Sequence, residues 1–141
     1  MKPQAKTAAT KTTTNPVLPG LFADPHLTSF NGRYYFYPTT DGYAGWGGTY
    51  YKAFSSADLV TWTDHGVILD HGPDVSWADN SAWAPAVAAT NGKYYLYFSG
   101  GLATGDTTKH LGVAVSDSPT GPFRDALGRP LVRGGQFGSG Q

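Results

Sequence analysis

The chain has 141 residues, with ten basic and ten acidic side chains, no cysteine, 14% aromatic residues, 19 Gly and 10 Pro. Balanced charge leaves no electrostatic footprint for a nucleic acid or an anionic membrane, no stretch is long and apolar enough to span a bilayer, and the lack of cysteine excludes a disulfide framework and a thiolate metal site. Every acidic residue is Asp; the absence of Glu, a good helix former, together with the Gly, Pro and aromatic content, favours a turn-rich β protein.

Residues 1–14, MKPQAKTAATKTTT, are basic, Thr-rich and without an apolar core. They are expected to form a disordered leader or linker, not a secretory signal as they stand. The ordered domain is expected over residues 15–141. Its first block runs from Asp24-Pro25 through HLTSF, an Asn31-Gly32 turn and RYYFYPTT. The loop DGYAGWGGT follows, then YYKAFSS and VTWTDHGVIL. The second block runs from Ala84-Pro85 through AVAAT, an Asn91-Gly92 turn and KYYLYFSG. After the loop GLATGDTTK come LGVAVS and PFRDALGRPLV.

The blocks match in order: Pro25 with Pro85, Asn31-Gly32 with Asn91-Gly92, Ser55 with Ser116, Trp62 with Phe123, and Asp64 with Asp125. Asn-Gly suits a type I′ turn, whose two central residues both need positive φ. Each block therefore reads as a four-stranded antiparallel meander, over about 22–70 and 83–133. In the second strands Tyr34 and Phe36 oppose Tyr35 and Tyr37, and Tyr94, Leu96 and Phe98 oppose Tyr95 and Tyr97. Aromatic side chains on both faces imply that both faces are covered. Small four-stranded sheets stacked about an axis make a β-propeller, with the small-residue strand AVAAT innermost. The alternative is an ordinary meander or sandwich whose hairpins agree by chance. Known propellers close with four to eight blades, so two blades are expected to be the N-terminal piece of a larger ring, or to self-associate through their open faces.

Asp24, in LFADPHL, precedes the first inner strand and is expected at one mouth of the channel, partly buried beside Leu21, Phe22 and Pro25. An Asp before Pro also simply starts turns. The equivalent place in block two is read as Trp83, whose indole can stack on a sugar or merely pack in the core. Tyr43 and Trp46 sit in a Gly-rich loop expected to overhang the same mouth. Trp77 and Asp79 precede the second inner strand and are expected near it. Trp62 is read as packing between blades. His26, His65, His71 and His110 show no paired metal-ligand spacing, and there is no phosphate loop, dinucleotide fingerprint or nucleophile elbow.

The stretches NPVLPGLFADPH, SSADLVTWTDHG, SAWAPAV with NGKYYLYFS, and VAVSDSPTGPF together resemble the first two blades of glycoside hydrolase family 43, over nearly all of residues 15–141. The resemblance implies a five-bladed propeller that hydrolyses arabinose-, xylose- or sometimes galactose-containing polysaccharides and oligosaccharides with inversion. It implies that Asp24, in the ADP motif, is the general base and that Trp83, in the WAP motif, shapes the sugar pocket. Phe22, His26, Tyr43, Trp46 and Asp79 are assigned with Trp83 to substrate binding. The family's second Asp, which opens blade three, and its Glu general acid have no counterpart in this sequence, so the chain alone is expected to be inactive or nearly so. Asp79 or Asp41 would replace the acid only by being folded across the pocket, which is not expected. No cofactor is expected within the chain, although the family commonly holds calcium in its channel. The expected partner is an oligo- or polysaccharide; a polymeric substrate favours secretion over a cytoplasmic location. A carbohydrate-binding propeller without catalysis and a purely structural piece are the rival readings.

Overall fold

Both Asn-Gly pairs turn the chain as their left-handed conformations require. Asn31 and Gly32 have φ of 51° and 75°, and Asn91 and Gly92 have 50° and 72°. In the computed structural model, which describes residues 12–139, each turn joins two long strands. The expected leader therefore lies mostly outside the described residues. β1 (Phe22–Phe30) pairs with β2 (Arg33–Thr40), β2 with β3 (Tyr50–Ser56), and β3 with β4 (Thr63–Asp70). β5 (Asn80–Thr90), β6 (Lys93–Gly101), β7 (His110–Ser116) and β8 (Arg124–Asp125) form the second sheet in the same order. All pairings are antiparallel.

The two innermost strands carry the same irregularity. Ala23 and His26 on β1 oppose Thr39 and Tyr37 on β2, so β1 holds one extra residue between them. Trp83 and Ala86 on β5 oppose Ser99 and Tyr97 in the same way. Asp24 and Ala84 occupy these bulges with φ of 44° and 43°. A bulge of this kind bends the strand and re-aims a side chain. It also corrects the alignment of the blocks: Ala84, not Trp83, is the counterpart of Asp24, and Trp83 is level with Ala23. The match of Pro25 with Pro85 already places Ala84 opposite Asp24, and the bulge, identical in both strands, keeps that offset.

β5 lies against β1 and β2 of the first sheet, consistent with its small side chains. The core between the sheets is built from Tyr37, Tyr51, Ile68, Leu69, Val87, Leu96, Phe98 and Phe123 among others. Each large side chain buried there contributes about 1.5–3 kcal/mol through removal of apolar surface from water. Several polar groups inside this layer are satisfied across it, although His71 Nε2 is buried without a partner. Tyr37 and Tyr51 are wholly buried. The Tyr37 hydroxyl donates to the Pro119 carbonyl at 2.7 Å. The Tyr51 hydroxyl lies 3.1 Å from the Trp83 carbonyl and 2.9 Å from the Ser99 carbonyl. The Phe123 amide donates to the Ile68 carbonyl at 2.8 Å. Burial raises both phenols well above the ordinary range.

Two details differ from the sequence reading. The last strand shrinks to two residues. Pro122 and Pro130 lack the amide a ladder needs, and beyond β8 the chain stays on β7 through isolated bonds, Ala126 to Val113 and Leu131 and Val132 to Leu111. Trp62 lies 5.9 Å from Phe36 in an edge contact. Covering of both faces also fails for the second sheet among the described residues: Leu96 and Phe98 are buried, whereas Tyr97, pointing the other way, is 43% exposed.

Candidate active site

A cleft of about 320 Å³ opens where the two bulges meet, lined by Ala23, Asp24, Thr39, Thr40, Asp41, Trp46 and Trp83. The β1 bulge brings the Asp24 carboxyl to this cleft. Asp is among the few side chains that tolerate a left-handed backbone, which is why a carboxylate fits the bulge at modest cost. Asp24 is exposed, not partly buried. Its Oδ2 accepts a hydrogen bond from the Thr39 hydroxyl at 3.2 Å. Trp83, half-buried on β5, forms the opposite wall.

The aromatic loop between β2 and β3 is tied to the second sheet despite its glycines. The Trp83 indole donates to the Trp46 carbonyl at 2.7 Å, and the Ala82 amide donates to the Gly48 carbonyl at 2.9 Å. Trp46 itself is 73% exposed and lines the cleft. The Lys109 ammonium sits 5.6 Å from the centre of the Trp83 ring, a cation–π distance. Contrary to the expectation that Asp41 would lie away from the pocket, it brings a second carboxyl to the cleft, its Oδ1 accepting from the Gly42 amide at 2.7 Å.

The remaining sequence candidates lie outside the cleft lining. The Tyr43 hydroxyl is paired with that of Tyr50 at 2.6 Å, and Phe22 packs edge-on to Phe54 at 5.4 Å. His26 reaches the second sheet, its Nδ1 accepting the Val87 amide at 2.8 Å; burial lowers its pKa from 6.5. That bond places the neutral ring's proton on Nε2. Asp79 accepts the Ala103 amide at 2.7 Å and so holds the loop after β6. Trp77 donates its indole N–H to Asp125 at 2.9 Å and lines a separate cleft with Asp106, His110, Arg129 and Arg133. Thr39 and Thr40 line the site without having been singled out from sequence. Only the pairing of Thr39 with Ala23, beside the bulge, marks Thr39, and that pairing is invisible in a linear reading. The described residues do not assemble a cation site: no three His, Cys, Asp or Glu side chains converge.

The sequence profile of the glycosyl hydrolases family 43 matches residues 13–138. The chain belongs to this family. It is 42% identical to a β-D-galactofuranosidase of Aspergillus niger, over 97% of the chain and 43% of that protein. It is 37% identical to an arabinoxylan arabinofuranohydrolase of Bacillus subtilis, over 89% of the chain and 29% of that protein. The chain thus spans less than half the length of these relatives. Among solved structures, a family 43 β-xylosidase/α-arabinofuranosidase from a compost metagenome, in complex with xylotriose, superposes with a TM-score of 0.72 at 37% identity. The match covers 80% of this chain and 37% of the other. The two sheets are accordingly propeller blades, blade one formed by β1–β4 and blade two by β5–β8.

Proposed function

We propose that the chain supplies the general-base side of an inverting glycoside hydrolase site that acts on arabinose- or xylose-containing plant cell-wall oligo- and polysaccharides. The observation that carries this reading is Asp24: a carboxylate on a left-handed bulge, in a cleft walled by an indole, in a family 43 chain. Asp24 takes a proton from the water that attacks the anomeric carbon. The bond from that carbon to the leaving oxygen breaks, and the leaving oxygen takes a proton from a carboxylic acid across the cleft. Room for the water requires the two carboxyls to be roughly 6.5–9.5 Å apart. The chain contains no Glu. Asp41 also lines the cleft, but on this reading its role is substrate binding and the acid is a carboxyl outside the 141 residues, so that the chain alone is expected to turn over little or no substrate. Trp83 and Trp46 offer apolar faces to the sugar ring, and Asp41 can accept hydrogen bonds from its hydroxyls. Relatives named for arabinoxylan and a solved neighbour holding xylotriose support pentose-containing substrates.

Hydrolysis of aryl α-L-arabinofuranosides and β-D-xylosides by the complete propeller tests this reading. Asp24→Ala should lower turnover about a hundredfold or more, and the first-formed sugar should have the inverted anomeric configuration. Full turnover by Asp24→Ala would overturn it. The second reading, a carbohydrate-binding propeller, is favoured by the two indoles in one cleft; sugar binding that survives Asp24→Ala, with no turnover by any version, would support it.

A further inference from the structure

Thr39 stands between the two bulges. It is 5% exposed. The Ala84 amide, on the blade two bulge, donates to Thr39 Oγ1 at 2.7 Å. The same hydroxyl donates to Asp24 Oδ2, on the blade one bulge, at 3.2 Å. An amide can only donate, so Oγ1 is the acceptor in the first bond and keeps its proton for the carboxylate. Among the described residues no protein group bonds Asp24 Oδ1, which leaves that oxygen for the cleft. From this geometry we infer that Thr39 is a positioning residue for Asp24, completing an amide–hydroxyl–carboxylate relay by which blade two orients the base carried by blade one. The inference rests on the reading of Asp24 as the base.

The relay holds the Asp24 carboxyl in one rotation, with Oδ2 tied to Thr39 and Oδ1 left without a protein donor among the described residues. Asp41 is the other carboxyl lining the cleft, and its Oδ1 is taken by Gly42. The Lys109 ammonium lies against Trp83.

The test uses Thr39→Val, which keeps the shape and removes the hydroxyl, and Thr39→Ser, which restores it. In the complete propeller, Thr39→Val should lower kcat about ten- to a hundredfold with little change in KM, the scale of one lost hydrogen bond to a charged group. Thr39→Ser should recover kcat. Amide exchange in the 141-residue chain gives an independent readout. The Ala84 N–H should exchange faster in Thr39→Val than in Thr39→Ser, whereas Val87 N–H, bound to His26, should not change. Wild-type kinetics in Thr39→Val, or equal loss in both variants with unchanged Ala84 exchange, would overturn the relay. Asp24→Asn separates the two levels. An inactive Asp24→Asn beside a fully active Thr39→Val defeats only the relay, whereas an active Asp24→Asn defeats the assignment of the base.

Discussion

Blade one and blade two share a scaffold down to a single irregular residue, yet only one of them places a carboxylate on it. Each begins with a bulge at matched positions, φ 44° at Asp24 and 43° at Ala84, and each turns at Asn-Gly. Backbone geometry alone therefore does not mark the site, because it is repeated where there is no carboxylate. What differs is the side chain at the bulge and what reaches it. Blade one offers Asp24 and the Thr39 hydroxyl, and blade two offers a methyl group and a bare amide that blade one uses. Repetition supplies the frame, and one difference within the repeat supplies the carboxyl to which the proposed function assigns the chemistry.

The sharpest way to break this comparison is to move the carboxyl. In the double variant Asp24→Ala with Ala84→Asp, the bulge of blade two can hold the new Asp without added strain, since its backbone already matches that of Asp24. We expect turnover to stay down by about a hundredfold or more, as in the single Asp24→Ala variant, because the new carboxyl lacks the Thr39 donor. Recovery of hydrolysis would show the two bulges to be interchangeable.

A smaller effect is expected at the interface that couples the blades. Tyr51→Phe leaves the carbonyls of Trp83 and Ser99 without their shared donor. Urea unfolding should show a loss of about 1–3 kcal/mol, the cost of a buried group left unsatisfied. An unchanged midpoint would mean that those carbonyls find other partners and that the blades are less tightly joined than their hydrogen bonds imply.

The gentlest perturbation is pH. Burial lowers the pKa values of His26 and His71 from 6.5, and both histidines lie at the junction of the blades. The unfolded chain then binds more protons than the folded one as pH falls, so this contribution is intact above about pH 6.5 and is lost as pH drops through the lowered values. The thermal midpoint should begin to fall below pH 6.5, ahead of the decline that sets in when Asp64 and Asp117, held below 3.8 by Lys52 and Lys93, are protonated. A flat midpoint from pH 7.5 to 5 would show that neither ring matters to the junction.

Much of the architecture was legible because its signals are local. Asn31-Gly32 and Asn91-Gly92 announce their turns, and the aromatic runs after them announce strands. Asp24 and Trp83 were legible as site candidates through the family motifs that hold them. The bulges were not, because an extra residue in one strand is defined only against its partner; the equivalence of Asp24 with Ala84 was available from the match of Pro25 with Pro85. Thr39 was obscure for the same reason: its partners, Asp24 and Ala84, lie far away in the chain. Tyr43, Asp79 and Trp77 have nearby partners, Tyr50, Ala103 and Asp125, which a reading by sequence neighbourhood cannot foresee.

The two wholly buried phenols of blade one have a consequence for synthesis. Tyr37 and Tyr51 find their acceptors at Pro119, Trp83 and Ser99, so a first blade emerging from the ribosome has no native partner for either hydroxyl until dozens of later residues follow. At about 5–20 residues per second, that leaves several seconds in which the nascent sheet presents a sticky aromatic face to the cell.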